Sequence, residues 1–395
     1  MKRKLLAVSV AVLLIATSLC GCADVDGNVT SSNLENNLGQ TSGLASAPIE
    51  ESSNVTIPNG GTGQTSDGIS SIPTKGKIYK QKRKQFSEEQ LISLFSDTPQ
   101  KVERGYDNEI YYETDTEMGY IDNGSNFGFY TPAGSTYGSI CASSFLELNG
   151  VEGYEDGAHD FATREEILAQ VKDLLWDKFG IPQEDWYTRE FYAVKKETVE
   201  SYKEAVFQQA NVPVTSSNEY EQDKWAALAE ELKNIPGKDY YYISLGFNID
   251  GNPYYSGGGF YYGQEESSLI MGYIADFVYT ENGIENIVLV NINETDMLSA
   301  QEADVISPDE AKVLIQQKYD SIIFDGEIDI YDMQFVYLPI PQNDLGEYHL
   351  NFEARPFYAF YCKLTENYNG EQITSNEISY FDAVTGKEFG SEPIY

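Results

Sequence analysis

One helix-start pattern recurs three times along this chain. Ser87-Glu88-Glu89-Gln90, Thr163-Arg164-Glu165-Glu166 and Ser307-Pro308-Asp309-Glu310 each set a hydroxyl three residues ahead of a Glu or Gln. At that spacing the hydroxyl caps a free amide and the later side chain reaches back to the cap. An amphipathic run follows. Ile167, Leu168, Val171, Leu174, Leu175 and Phe179 keep helical spacing until Gly180 and Pro182 stop it, and Ala311, Leu314, Ile315 and Tyr319 repeat the pattern in the third copy. Beyond these helices the apolar residues alternate as in strands. Trp186 to Lys195 matches Asp329 to Leu338, Tyr240 to Phe247 matches Tyr348 to Phe352, and Tyr273 to Gly283 matches Tyr380 to Gly386. The pattern predicts an α+β fold of tandem units at residues 76–160, 161–300 and 301–395. Each unit is one helix packed on an antiparallel sheet of about four strands.

In the first unit the predicted strands are Glu109 to Thr114, Phe127 to Thr131 and Ile140 to Leu148, broken by Gly and Asn. The middle unit carries an insertion, residues 197–236, that reads as two helices. Val199, Tyr202 and Val206 share a face of one, and Trp225, Leu228 and Leu232 share a face of the other. An insertion on a repeated scaffold is where unit-specific contacts gather, which makes Tyr202 and Trp225 candidate partner-binding residues. A spacer packed between units is the alternative.

Ser307-Pro308-Asp309-Glu310-Ala311-Lys312 opening a helix, with Tyr380-Phe381-Asp382-Ala383-Val384-Thr385-Gly386-Lys387-Glu388-Phe389 closing a sheet, resembles a PepSY-type domain. The resemblance covers the third unit, extends weakly to the second, and is most specific at the terminal hairpin. It implies a binding or inhibitory module of the bacterial envelope and brings no catalytic residues. Thr385-Gly386 also has a local reason, since Gly supplies the positive φ of a tight turn. The whole organisation is similar to uncharacterised Tyr-rich cell-surface lipoproteins of Gram-positive anaerobes.

The N-terminus fits that setting. Lys2-Arg3-Lys4 precedes an apolar run from Leu5 to Leu19, the layout of a secretory signal too short for a comfortable span. Leu19-Cys20-Gly21-Cys22 resembles a lipobox, which implies removal of residues 1–21 and acylation of Cys22. Cys20, preceded by Ser18-Leu19, is the poorer acceptor, and an uncleaved membrane helix is the other reading. Residues 22–75 are mostly Ser, Thr, Asn and Gly without an apolar period, a composition expected to form a flexible tether.

Charge sharpens the picture. The 395 residues carry 63 Asp and Glu against 26 Lys and Arg, a formal net charge of −37, so a nucleic-acid partner would be repelled at long range. Signal removal takes three more cations with it. A dense basic group stands against this background: Lys75, Lys77, Lys80, Lys82, Arg83 and Lys84. It suits anionic headgroups or wall polymers, and it suits equally a fold-back onto the protein's own acids or plain solvation. Cys141 and Cys362 lie in apolar surroundings and are expected as buried thiols, a disulfide being the alternative.

Candidate chemistry is sparse. The two histidines, His159 and His349, have no neighbours suggesting a triad and cannot build a multi-histidine zinc centre, and no Gly-x-Ser-x-Gly elbow or complete calcium loop occurs. We expect no metal, no cofactor and no catalytic residue. Tyr254 and Tyr255 open a Gly-rich loop ending at Tyr262, a candidate stacking surface for a partner, or simply a wide hairpin. The function expected is a membrane-anchored extracellular lipoprotein acting as a non-enzymatic binding or regulatory module for an envelope protein or wall polymer. A carboxylate-dependent carbohydrate-active or peptidase-related enzyme is the alternative. Cys22→Ser is expected to abolish fatty-acid labelling of the protein while Cys20→Ser preserves it; labelling that survives Cys22→Ser would refute the assignment.

Overall fold

A computed structural model describes residues 55–56, 74–103, 109–142, 159–182, 185–212, 219–256, 260–261, 269–270, 272–321, 326–342, 351–368 and 371–394. The chain begins with β1 (Val55–Thr56), β2 (Lys75–Arg83), α1 (Glu88–Ile92), β3 (Gln100–Val102), β4 (Glu109–Glu113), β5 (Met118–Asp122), β6 (Asn126–Tyr130) and α2 (Pro132–Ala142). It continues through α3 (Arg164–Phe179), β7 (Trp186–Val194), α4 (Lys196–Ala210), α5 (Glu219–Leu232), β8 (Tyr240–Ile249), β9 (Asn252–Pro253), β10 (Phe260–Tyr261) and β11 (Leu269–Ile270). It ends with β12 (Ile274–Thr280), β13 (Gly283–Val290), β14 (Asn293–Asp304), α6 (Pro308–Asp320), β15 (Gly326–Pro341), β16 (Asn351–Tyr368), β17 (Glu371–Asp382) and β18 (Glu388–Ile394). The fold is α+β.

All three capping boxes form. Ser87, Thr163 and Ser307 each accept from the amide three residues on, and Gln90, Glu166 and Glu310 return the bond to the cap backbone. Helix α3 then buries Ile167, Val171, Leu175 and Phe179 along one stripe and stops at Gly180, whose φ of 64° only glycine adopts freely. In α6 the buried stripe is Ala311, Ile315 and Tyr319. The inserted pair, α4 and α5, also forms, with Val199, Tyr202, Val206 and Leu232 buried.

Strand pairing goes beyond four-stranded units. One nine-stranded sheet runs β3-β4-β5-β6-β13-β12-β8-β7, with β9 attached to β8. Strands of the first and second expected units join within it, because Phe127–Tyr130 pairs antiparallel with Asn286–Leu289. The second sheet has seven strands, β1-β15-β16-β17-β18 with β2 and β14. Strand β2 lies between β14 and β16, on the side of β16 that β17 leaves open at Asn351–Ala354. A strand at the start of the described main body therefore completes the C-terminal sheet.

Two further expectations need correction. The strand expected over Ile140 to Leu148 begins inside a helix: Ile140–Ala142 belong to α2, and residues 143–150 lie outside the described residues. Gly-rich α2 is a poor helix by propensity, but its small residues let it lie against the sheet, since a Cβ on Gly134 would sit 2.2 Å from the Glu285 carbonyl oxygen. The tether is not featureless throughout, for β-branched Val55–Thr56 pairs parallel with Ile328–Asp329 of β15. Residues 348–350 and the other residues before 74 lie outside the described set.

A single apolar core joins the two sheets. Side chains of β6, β8, β12 and α3 meet side chains of β2, β15, β16 and α6 in one contiguous cluster. A second cluster lies between the nine-stranded sheet and α2, α4 and α5, and a third on the far face of the other sheet, around Tyr255, Phe357 and Tyr380. The terminal hairpin is built by Asp382, whose Oδ1 accepts from the amides of Val384 at 2.8 Å and Thr385 at 2.9 Å before Gly386 turns at φ 68°.

Two glycines make room for tyrosine rings. Tyr120 lies over its cross-strand partner Gly128, and Tyr187 lies over Gly246. An added Cβ at either glycine would sit 2.1 Å from a ring atom. Gly128→Ala and Gly246→Ala are each expected to cost about 1–3 kcal/mol in denaturant unfolding, and unchanged midpoints would show that the rings move aside without cost.

Candidate functional site

The basic group is a β-strand. Alternation along β2 turns Tyr79, Gln81 and Arg83 inward, while Lys80 and Lys82 stay exposed. Across β14 the register sets Lys75 against Asp304, Lys77 against Glu302, Lys80 against Asp296 and Lys82 against Glu294, and across β16 it sets Lys80 against Glu353. Lys75 Nζ reaches Glu302 at 3.3 Å, and nearly buried Lys84 reaches Glu294 at 2.6 Å. Three of the cations proposed for an outside surface, Lys75, Lys77 and Lys84, are thus ion-paired to the protein's own acids, while Lys80, Lys82 and Arg83 have no side-chain ion pair among the described residues. Arg83 is 7% exposed, lies 4.5 Å from the Phe352 ring centre, and its Nη1 has no hydrogen-bond partner among the described residues. Burial pushes its guanidinium down to about 10.

The inward face of β2 forms a tyrosine seam between the sheets. Tyr79 donates to Asp250, which stands at φ 51° in the β8–β9 turn, and Lys77 Nζ reaches the same carboxylate at 3.3 Å. Tyr254 donates to Gln81 at 2.9 Å and accepts from Asn293 at 2.7 Å. The Tyr255 amide bonds the Tyr337 carbonyl at 2.9 Å. Tyr254 and Tyr255 are both buried, Tyr254 in the seam and Tyr255 in the far-face cluster with Phe357 and Tyr380, so neither presents a stacking surface to a partner; residues 257–259 and 262 of their loop lie outside the described residues.

The helical insertion is likewise packed inward. Tyr202 is buried and Trp225 half-buried, both against the sheet face that carries Tyr240, Tyr242 and Val278. An open depression of about 590 Å³ runs beside α4, lined by Lys196, Glu200, Lys203, Phe207 and Gly237 among others. The insertion therefore acts first as a cover for this face.

One carboxyl on that face is desolvated. Asp276 on β12 stands opposite Ser244 of β8 and accepts from Tyr242 at 2.8 Å, while its Oδ1 is covered and has no hydrogen-bond partner among the described residues. Burial raises this carboxyl above the ordinary range, with Ser244, Arg189 and Tyr242 opposing. Cys141 packs in the same layer and Cys362 in the joint core; both are free thiols, and burial pushes them up to about 12 and about 11. Among the described residues no group of three or more His, Cys, Asp or Glu is placed to hold a metal ion. Cys22 lies outside the described residues.

The most exposed large apolar side chain among the described residues, Leu298, has no periodic signal in the sequence. Strand β14 pairs with β2 along one edge, and among the described residues no strand pairs with its other edge. Midway the strand bulges, so that Met297 to Ala300 stand opposite the single residue Tyr79. At the bulge Leu298 is 98% exposed and Met297 52%. The run Asp296-Met297-Leu298-Ser299 carries the signal, an apolar pair inside an acidic strand.

Asp276 yields a test with a definite sign. Its folded carboxyl titrates above the unfolded value of about 4, so the folded state holds the extra proton between the two values and stability falls as pH rises through that window. Asp276→Asn keeps an acceptor for Tyr242 and removes the loss. The variant should be the more stable protein at neutral pH, and the two should converge in acid below about pH 4. A variant less stable at neutral pH would contradict the account.

No protein family matches the sequence, and no curated protein does. Solved structures show likeness of shape. A crystal structure of an uncharacterized protein from Eubacterium rectale matches over 80% of this chain and 86% of its own, with a TM-score of 0.51 and 14% identity. The Bacillus megaterium YpeB C-terminal domain is matched over 79% of this chain and 99% of its own at 11% identity, with a TM-score of 0.24, too low for a shared fold to be argued. The first likeness shows a common α+β fold and nothing of activity.

Proposed function

We propose that this protein is a non-enzymatic binding or regulatory module of the cell envelope. It is held at the outer face of the cytoplasmic membrane through acylated Cys22, and it engages an envelope protein or wall polymer. The observation that carries this reading is the outer edge of β14, which no strand pairs with among the described residues. A strand edge with unpaired backbone groups is a ready template for another chain, and this one displays a large apolar side chain at 98% exposure. The PepSY-type resemblance of residues 301–395 supports the same class of job.

The carboxylate enzyme is the second reading, and Asp276 is the observation in its favour. A general acid with a raised pKa fits such chemistry. Yet Asp276 faces Ser244 and Tyr242 within the sheet layer, whereas a substrate needs a concave site.

Crosslinking in intact cells followed by affinity recovery of the full-length protein distinguishes the two. The module reading expects one envelope protein or wall fragment to be recovered repeatedly and unmodified. Recovery of no partner, or turnover of wall glycan or peptide that is lost in Asp276→Asn, would contradict it.

A further inference from the structure

The two edges of β14 are in different states. The inner edge holds β2, a strand of opposite charge, with Lys opposite Asp or Glu at each of four positions. Side chains stand above and below a sheet rather than toward one edge, so Glu294, Asp296, Glu302 and Asp304 border the outer edge as closely as the inner one. Resting on the module reading above, we propose that the outer edge of β14 binds a basic, extended segment of a partner protein by strand addition, with Leu298 as its apolar contact.

Three observations support this occupant. The backbone groups of the outer edge have no strand partner among the described residues, and an added strand would supply one. Glu294 and Glu302 are ion-paired to Lys84 and Lys75, but Asp296 and Asp304 have no ion pair among the described residues and, within a chain of net charge −37, attract a cationic segment and steer it to the site. A second β14 would instead bring acid against acid, which is unfavourable for directly opposed pairs. Polyanionic wall polymers are repelled for the same reason.

The bulge supplies the third. Charges and bulges commonly protect an edge from unwanted pairing, and such protection has no use for a bare leucine. Here the bulge holds one in place. Ser299 Oγ accepts from the Lys80 amide at 2.8 Å and donates to the Asp296 carbonyl at 2.6 Å, while Asp296 Oδ1 accepts from the Leu298 amide at 3.0 Å. The backbone under Leu298 is thereby fixed before any partner arrives, which lowers the ordering cost of binding.

The test uses the full-length protein and a synthetic ten-residue peptide with the sequence of Lys75–Lys84 as the basic strand. A control peptide has every Lys and Arg replaced by Glu. Fluorescence anisotropy should show the basic peptide binding, weakening with salt, and weakening about tenfold or more in Leu298→Lys, whose thermal midpoint should stay unchanged. Hydrogen exchange should show new protection in residues 293–304 and none lost in 75–83. The proposal fails if the basic peptide does not bind, if the acidic control binds as well, or if protection appears elsewhere. It fails too if β2 loses protection, which would mean displacement of β2, or if sedimentation shows that the protein alone dimerises through β14. The module reading has its own readout. If Leu298→Lys still recovers the wild-type crosslinked partner, the module stands and this edge does not; if neither protein recovers one, both readings fall.

Discussion

The structure depends on the insertion of β2 between β14 and β16. Without it β14 would have no strand partner among the described residues, and the carboxylates of Glu294 and Asp296 would have no facing row of cations. With it the outer face carries a row in which Lys80 stands between Asp296 and Glu353. Each such pair is individually weak at a surface, but the arrangement lets so acidic a chain bring two acidic strands into one sheet. The inner face of the same strand does the apolar and polar work of the seam through Tyr79, Gln81 and Arg83. Over Tyr79–Arg83, charge on one face and burial on the other thus fix a single register, because a one-residue slip would exchange the two faces.

The seam also accounts for the use of tyrosine. A ring fills a core while its hydroxyl satisfies a polar group at the core's edge. Tyr79 does this across the two sheets, and Tyr241, Tyr137 and Tyr358 do it by donating to the carbonyls of Ala162, Pro236 and Ile306 at 2.9, 2.7 and 2.7 Å. These carbonyls lie in connections between elements, where backbone groups lack ladder partners. Phenylalanine would fill the same space and leave those carbonyls unsatisfied.

Local signals in the sequence were legible because their causes are local. The three capping boxes, the stripes of α3 and α6, the inserted helices and the Asp382 turn each depend on residues a few positions apart. Non-local pairing was not legible in the same way. Nothing in Phe127–Tyr130 names Asn286–Leu289 as its partner, so the first two units read as separate sheets. Lys75–Lys84 reads as a surface group because six cations outweigh the alternation of Tyr79, Gln81 and Arg83 among them. The aromatic side chains of Tyr202, Tyr254 and Tyr255 fit a core and a binding surface equally well in sequence, and burial decides for the core. Leu298 is not legible in the sequence, because two apolar residues in an acidic strand make no period.

The proposed binding role belongs to what the joined sheets leave uncovered. The insertion covers one face of the nine-stranded sheet, the joint core occupies the other, and the β14 edge stands free among the described residues. The central claim is that β2 makes the two sheets one cooperative body. Native-state hydrogen exchange on the full-length protein tests it directly. Amides of Tyr79–Arg83, Phe357–Cys362 and Tyr241–Leu245 should exchange only through a shared global opening, with a common free energy and a common denaturant dependence. Exchange of the β2 amides at a much lower free energy, with both sheets still protected, would contradict the claim.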